Sequence, residues 1–255
     1  MAQVPLLQRL RQRVDHTRRH VKLGRIYAPD PNDYHVKGIM PRGAIVVVSR
    51  SWGFGYKPHL DQGSVSACVG FSATNLILGS PVIGGVKKLG IETIGGKSPS
   101  DFALDVYHTA QTVDEFPGNS YEGTSVRAGQ KVLQAQGRLK KYYFANSAAE
   151  ARDFLIQFGP VIFGTTWYER MFTPDAHGYL IPEGDVAGGH AYLVLGFSKS
   201  RNAFRMMNQW WEPDPNTGKL VEWGEGNRAW LKFEHADILI QQNGECACPT
   251  ELKLA

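Results

Sequence analysis

Residues 61–71 read DQGSVSACVGF, and from Cys68 onward the apolar residues recur with helical spacing. Ser66 can cap the start of this predicted helix. A thiol in the first turn of a helix lies at the positive end of the helix dipole, which favours the thiolate, the form that attacks carbonyl carbons. Gln62 precedes Cys68 by six residues across a glycine turn, so its amide can fold back and help the Cys68 backbone N–H to bind an oxyanion. Taken alone, this pattern fits a small buried cysteine in a core helix better than a nucleophile.

Two downstream segments place polar residues at the ends of apolar strands. Residues 188–197 read GGHAYLVLGF, with His190 at the beginning of a predicted strand, and residues 204–211 read FRMMNQWW, with Asn208 at the end of another. An asparagine can accept a hydrogen bond from one imidazole nitrogen and so fix the tautomer, while Trp210 keeps water off that bond. A lone histidine in such a place is more often structural, so the interpretation of His190 depends on the three segments together.

Together, the three segments resemble the papain-like family of cysteine peptidases. That family has a Gln-Gly, a catalytic Cys six residues after the Gln, a His-Ala that opens a strand and an Asn-x-Trp after the next strand, and this chain has the same elements in the same order. The segments 159–161 and 223–226 are also similar, and residues 28–34 look like the corresponding segment of bacterial members. The resemblance covers about residues 25–235 and indicates a bacterial or phage type.

The resemblance implies an α+β fold in which a helical lobe is followed by a β-rich lobe, with the active-site cleft between them. The residue pattern agrees, since helices are predicted over 125–136 and 147–158, whereas strand-like runs separated by glycine and proline follow from residue 161. The expected divisions of the chain are a catalytic domain over 36–255, a helical lobe over about 60–158 and a β-rich lobe over about 159–240.

Residues 1–35 are predicted to form a basic N-terminal arm and linker. The apolar residues of 4–23 recur with helical spacing between basic residues, which indicates a helix packed on the body; a short pro-segment and a docking arm for a partner remain alternatives. Residues 28–33 contain two prolines and are typical of a linker, and residues 44–49 form a β-branched run that predicts a buried strand. We expect no room here for the inhibitory pro-domain of many family members.

The resemblance also implies a function, the hydrolysis of peptide bonds in a polypeptide substrate through a thioester acyl-enzyme, with no metal or other cofactor. Cys68 is then the nucleophile, His190 transfers protons, Asn208 orients His190, and Gln62 stabilises the oxyanion. By their place in the family pattern, the implied substrate contacts are Gly123, Thr124, Ala191 and Trp210. Two alternatives stay open: an amidase, deamidase or acyl transferase that acts on a non-peptide amide, and a non-catalytic binding or structural protein that retains the cleft.

Three positions depart from the family pattern. Val65 replaces a disulfide-forming cysteine, which leaves the chemistry intact, whereas Val69 and Trp211 replace a tryptophan and a glycine. We expect the changes at Val69 and Trp211 to alter the walls of the substrate pocket.

Charge and cysteine content narrow the choice of partner and compartment. The net charge is +4, but residues 1–25 hold seven basic residues against one acidic residue, which leaves the body near −2 and argues against nucleic-acid binding.

The sequence has no apolar run of the roughly 20 residues that a membrane span needs, and no recognisable signal peptide. The spacing of Cys68, Cys246 and Cys248 fits neither a disulfide framework nor a common zinc site, so the last two are predicted as free thiols on a surface tail. We therefore expect a protein of the cytoplasm or another reducing compartment, without a membrane partner.

Overall fold

One antiparallel sheet of seven strands organises the chain in this computed structural model, which describes residues 23–41, 43–79, 93–118 and 120–252. The strands of the described residues are β1 (Arg50–Ser51), β2 (Lys141–Phe144), β3 (Val161–Tyr168), β4 (Val186–Ser198), β5 (Ala203–Met207), β6 (Trp211–Pro213), β7 (Leu220–Glu222), β8 (Arg228–Lys232) and β9 (Glu245–Thr250). The order across the sheet is β2-β9-β3-β4-β5-β8, with β1 beside the C-terminal end of β4, and β6 pairs with β7 in a separate ribbon.

Helices cover both faces of this sheet, which is why its central strands β3 and β4 are largely apolar and buried on both faces. They are α1 (Cys68–Leu78), α2 (Pro99–Val113), α3 (Val126–Ala135), α4 (Ala148–Gln157) and α5 (Phe233–Gln241). The first three pack on the face that carries Ile162 and Leu193, and the last two pack on the face that carries Phe163 and Val194. Neighbouring residues of one strand therefore belong to different cores, as the two-residue repeat of a strand requires. The α+β fold expected from the sequence is confirmed.

The ends of two predicted helices agree with the structure to within one residue. Helix α3 begins after Ser125, whose side chain accepts a hydrogen bond from the Ala128 N–H, and α4 begins after Ser147, which accepts from the Glu150 N–H. Each serine satisfies one of the backbone donors that the first turn of a helix leaves unpaired.

The start of α1 differs from the prediction in one respect. The helix begins at Cys68 as expected, but Ala67 occupies the N-cap position and no side chain caps it. Ser66 instead donates a hydrogen bond to a carboxylate oxygen of Glu122, at 2.8 Å. The first-turn N–H groups beside the Cys68 thiol are therefore not consumed by a capping side chain.

The predicted strand over 44–49 is wrong. These residues form no strand, and Val46 and Val48 are 76% and 44% exposed. Only the following pair, Arg50 and Ser51, reaches β4 and forms β1. A run of β-branched residues indicates that a segment could fit into a sheet, but a strand forms only where a neighbouring strand is available for pairing.

The C-terminal segment lies inside the fold, so the prediction of a surface tail is wrong. Strand β9 pairs with β2 on one side and β3 on the other, which buries Cys246 and Cys248 completely. Their sulfurs are 3.7 Å apart, and all three cysteines of the chain are free thiols. Helix α4, which we assigned to the helical lobe, packs against α5 on the face of the sheet remote from α1.

The N-terminal part of the chain is described only from Leu23 onward, so the predicted helix over 4–23 otherwise lies outside the described residues. Residues 28–33 form a turn in which the Asp33 N–H donates to the Asp30 carbonyl, in keeping with the prolines of this segment. Among the helices of the described residues, none has the length and apolar character that crossing a membrane requires.

Candidate active site

Cys68 opens α1 and is fully buried beside β4. Its Sγ accepts a hydrogen bond from the Ala191 backbone N–H at 3.4 Å. The helix dipole and this hydrogen bond favour the thiolate, but burial has the larger effect and raises the pKa of the thiol to about 11. In this conformation the thiol is therefore protonated at neutral pH.

His190 lies on β4 directly before Ala191, and its ring contacts Asn208, which follows β5. Nε2 of His190 lies 2.8 Å from Oδ1 of Asn208, an oxygen that also accepts a hydrogen bond from the Gln209 N–H. Because an amide oxygen only accepts, Nε2 carries the proton of the neutral ring and Nδ1 is the basic nitrogen. Nδ1 is buried and has no hydrogen-bond partner among the described residues. It is thus the atom that can take a proton.

Two tryptophans shield the ring of His190. Trp210 stacks on it with ring centroids 4.4 Å apart, and Trp167 meets it edge-on at 4.8 Å. All three side chains are fully buried, and this burial lowers the pKa of His190 to about 3, although the hydrogen bond with Asn208 opposes the shift. Trp210, which we expected to contact substrate, lies in the interior and instead keeps water from the His190–Asn208 bond.

Gln62 is held by a residue that the sequence analysis missed. Gln209 donates from its side-chain Nε2 to Oε1 of Gln62 at 3.1 Å and to the Ala191 carbonyl at 2.9 Å, while the Gln62 backbone N–H donates to the Gln209 carbonyl at 3.0 Å. With its oxygen engaged in this way, the Gln62 amide presents Nε2 as its donor, which bonds the Val65 carbonyl at 2.8 Å. The available signal for Gln209 was its place between Asn208 and the tryptophan that follows.

Comparison with known proteins identifies the architecture around this site. No protein-family model and no curated protein sequence matches the chain. Among solved structures, it is similar to xylellain, a cysteine protease from Xylella fastidiosa, with a TM-score of 0.57 and 16% identity over 90% of this chain and 96% of that one. It is also similar to the digestive procathepsin L2 proteinase from Tenebrio molitor larval midgut, with a TM-score of 0.53 and 17% identity over 89% of this chain and 78% of that one. For proCathepsin B S9 from Trypanosoma congolense the TM-score is 0.51, with 15% identity over 98% of both chains.

The chain has the papain-like fold.

In this papain-like fold, residues 23–26, called the strap below, cross the candidate site. On one side, the Gly24 N–H donates to the Gly189 carbonyl at 3.1 Å. On the other side, the Thr124 N–H donates to the Gly24 carbonyl and the Ile26 N–H donates to the Thr124 carbonyl, both at 2.9 Å. The strap is thereby hydrogen-bonded to both walls of the site.

Gly24 is the strap residue that lies over the nucleophile. Its N–H opposes the rise in the pKa of the Cys68 thiol, whereas its carbonyl is turned toward Thr124. A Cβ at this position would lie 1.9 Å from the Ser66 carbonyl oxygen, so only glycine fits here. Because Cys68 and His190 are fully buried beneath this passage, a substrate cannot reach them unless the strap moves. The expectation that a full inhibitory pro-domain has no room here stays a prediction.

The predicted substrate contacts of the helical lobe lie at this strap. Thr124 pairs with it directly, and Gly123 precedes Thr124, with its N–H donating to the Tyr107 hydroxyl at 3.0 Å. Ala191 lies beside the thiol, as its hydrogen bond to Sγ shows. These three predicted residues are therefore brought together with Cys68.

Val69 and Trp211, two of the three departures from the papain-like pattern, have different surroundings. Val69 is buried and packs against α3, where a Cβ on Gly129 would lie 2.7 Å from Cγ1 of Val69. Trp211 donates from Nε1 to the His59 carbonyl at 3.1 Å and from its backbone to Oδ1 of Asp61 at 3.2 Å. It anchors the loop that leads into Gln62. The expectation of a pocket wall is wrong for Val69, whose side chain is buried against α3, and stays a prediction for Trp211, which is partly exposed.

Proposed function

We propose that this chain is a cysteine hydrolase that cleaves peptide bonds of a polypeptide through a thioester acyl-enzyme. The observation that carries the proposal is the convergence of three distant segments on the backbone of Ala191. Its N–H bonds the Cys68 sulfur, its carbonyl bonds Gln209, which holds Gln62, and His190 precedes it in β4. A nucleophile, a base and an oxyanion donor thus meet at one residue.

The strap supports a polypeptide as the substrate. It is an extended peptide whose backbone N–H and carbonyl groups are bonded by Thr124 and Gly189. A cleft that holds one extended backbone through main-chain hydrogen bonds offers the same groups to another once the first has left. A small non-peptide amide would use few of these bonds.

The chemistry follows once the strap is displaced and water reaches Cys68 and His190, because the burial that keeps both neutral is then relieved. Nδ1 of His190 takes the thiol proton, and the sulfur attacks the scissile carbonyl carbon. The Cys68 N–H and the Gln62 amide stabilise the charge on the carbonyl oxygen. The C–N bond then breaks as His190 returns the proton to the leaving amine, which leaves a thioester. A water molecule that gives its proton to His190 attacks the thioester and releases the acid and the thiol.

The test compares Cys68→Ala, His190→Ala and Asn208→Ala on quenched fluorescent peptides and on simple non-peptide amides. All three are made in a Gly24→Ala background, so that the strap does not limit the rate. We expect Cys68→Ala to abolish hydrolysis, His190→Ala to be nearly as severe, and Asn208→Ala to be milder because the imidazole loses only its orientation. Peptide hydrolysis that survives Cys68→Ala would overturn the proposal. Hydrolysis restricted to non-peptide amides would overturn its peptidase part.

A further inference from the structure

A cavity of about 190 Å³ opens where β1 lies against the C-terminal end of β4, and no residue of the candidate active site lines it. Ser51, Gly196, Arg205 and Trp230 lie directly opposite one another on β1, β4, β5 and β8. Residues paired in this way point to the same face of a sheet. Because Gly196 has no side chain, the Arg205 side chain reaches across β4 to Ser51. The resulting gap in the row of side chains forms the floor of the cavity.

Arg205 is a partly buried cation whose hydrogen-bond acceptors are neutral. Its Nη2 donates to Oγ of Ser51 at 2.5 Å and to the Trp52 carbonyl at 3.4 Å. Its Nε is buried and has no hydrogen-bond partner among the described residues. Burial, and to a smaller extent the positive charge of Arg228, lowers the pKa of Arg205. A guanidinium in such a place lacks the anion that normally compensates a desolvated charge.

Arg50 brings a second guanidinium to this cavity. Its Cζ lies 4.2 Å from the centre of the Trp52 ring, and stacking on a ring face leaves the N–H edge of a guanidinium available. Among the described residues that line the cavity there is no aspartate or glutamate. The cavity therefore holds two positive charges and, within the described part of the chain, no negative one.

Two serine hydroxyls at the cavity add neutral donors. Oγ of Ser49 accepts a hydrogen bond from the Lys199 N–H at 2.9 Å, and Oγ of Ser51 accepts from Arg205. A hydroxyl that accepts in this way keeps its own hydrogen, so both serines can donate to an oxygen in the cavity. Forked guanidinium groups together with hydroxyl donors are well suited to phosphate oxygens.

We propose that this cavity binds a phosphate group, held by Arg50 and Arg205 with the hydroxyls of Ser49 and Ser51. A phosphate has three or more strong acceptor oxygens and close to two negative charges, so it matches both the number of donors and the charge of the cavity. A single carboxylate would leave part of each unmatched. The inference does not depend on the proposed function, because none of these residues takes part in the chemistry at Cys68.

The test measures the binding of inorganic phosphate to the full chain by titration calorimetry, with sodium chloride at the same ionic strength as the reference. We expect a dissociation constant of about 0.1–1 mM, which corresponds to two or three charge-assisted hydrogen bonds after the cost of association. At about 10 mM phosphate, the melting temperature should exceed that in chloride by about 3–10 °C. Equal melting temperatures in the two salts, with no heat of binding, would overturn the assignment.

Variants of the two arginines locate the binding site. Arg50→Gln should weaken phosphate binding by about 10- to 100-fold, because it removes charge-assisted hydrogen bonds at an exposed residue. Lys219→Gln is the matched control, since it removes the same charge from an exposed residue outside the cavity and should leave the affinity unchanged. Arg205 also ties β5 to β1, so its variant is Arg205→Lys, which keeps the charge but loses the fork and should bind about tenfold more weakly. If Arg205→Lys does not fold, the comparison of Arg50→Gln with Lys219→Gln decides, and equal affinities in those two would overturn the assignment.

A second probe identifies the source of the phosphate group. Phosphoserine with blocked amino and carboxyl groups is titrated in the same way as inorganic phosphate. Binding as tight as that of the free ion, and equally sensitive to Arg50→Gln, would assign the cavity to a phosphate carried on another molecule. Binding of inorganic phosphate alone would assign it to the free ion. Binding of neither probe would refute the proposal.

Discussion

Substituting Gly24 by alanine is expected to lift the strap off Cys68. The added Cβ would lie 1.9 Å from the Ser66 carbonyl oxygen and 2.4 Å from its carbonyl carbon, and no side-chain rotation can relieve a contact with backbone atoms. Relief requires the strap to give up the hydrogen bonds between Gly24 and its neighbours Gly189 and Thr124. At about 0.5–1.5 kcal/mol for each, the loss of two bonds favours the open state by about 1–3 kcal/mol, or roughly 5- to 150-fold in the equilibrium. The clash itself adds to this.

The assay is the rate at which iodoacetamide alkylates Cys68, followed by peptide mass mapping. Because Cys68 is fully buried beneath the strap, its alkylation rate in the original chain reports the open fraction, and the variant should react at least fivefold faster. Gly55→Ala is the matched control, since nothing lies within 4 Å of a Cβ at that glycine. Cys248 is buried in the core and serves as an internal monitor of global unfolding. Equal Cys68 rates in the two variants would refute the role of the strap, as would parallel alkylation of Cys248.

Three further predictions follow from the same contacts. Gln209→Ala should lower kcat by about tenfold with little change in KM or in Cys68 alkylation, because it loosens the oxyanion donor Gln62 without removing it; a slower alkylation would mean that Gln209 supports the thiol instead. The free energy of unfolding should decrease as the pH falls from 6.5 toward 3, by up to about 1.4 kcal/mol per pH unit, because unfolded His190 takes up a proton in this range while burial keeps its folded pKa at about 3. When the free energy of unfolding is measured by urea titration at several pH values, it should depend less steeply on pH in His190→Gln than in the original chain. An unchanged pH dependence would mean that another group is responsible. Cys248→Ser should destabilise the fold by about 1–3 kcal/mol, and by more than Cys248→Ala, because the buried hydroxyl would lack a close hydrogen-bond acceptor. Equal melting temperatures for the two variants would contradict the burial of the residue 248 side chain.

The elements that carry the candidate catalytic residues were predictable because each depends on a short local pattern, whereas the roles of these residues came from the resemblance of the three segments together to the papain-like family. Cys68 starts a helix, His190 lies in an apolar run and Asn208 ends another, and these patterns reflect the periodicities of helix and strand. Helices α3 and α4 were predictable for the same reason, since a capping serine and an amphipathic repeat are contained within a single segment. The strand predicted over 44–49 does not form because these residues have a local preference for a strand but no neighbouring strand to pair with, and Val46 and Val48 are exposed.

Only the tertiary structure decided what lies on top of the site and beside it. In the sequence, Glu245 is a polar residue near the chain end with no visible partner. It contacts Arg25, 220 positions earlier in the chain, because β9 lies between β2 and β3 in the sheet. The covering of Cys68 by Gly24 likewise depends on a close approach of two backbones that no periodicity records. The sequence by itself determined the chemical groups and the elements that carry them, because those follow from local conformational preference. The state of those groups, neutral and covered, was decided by long-range strand pairing and burial, which act between residues far apart in the chain.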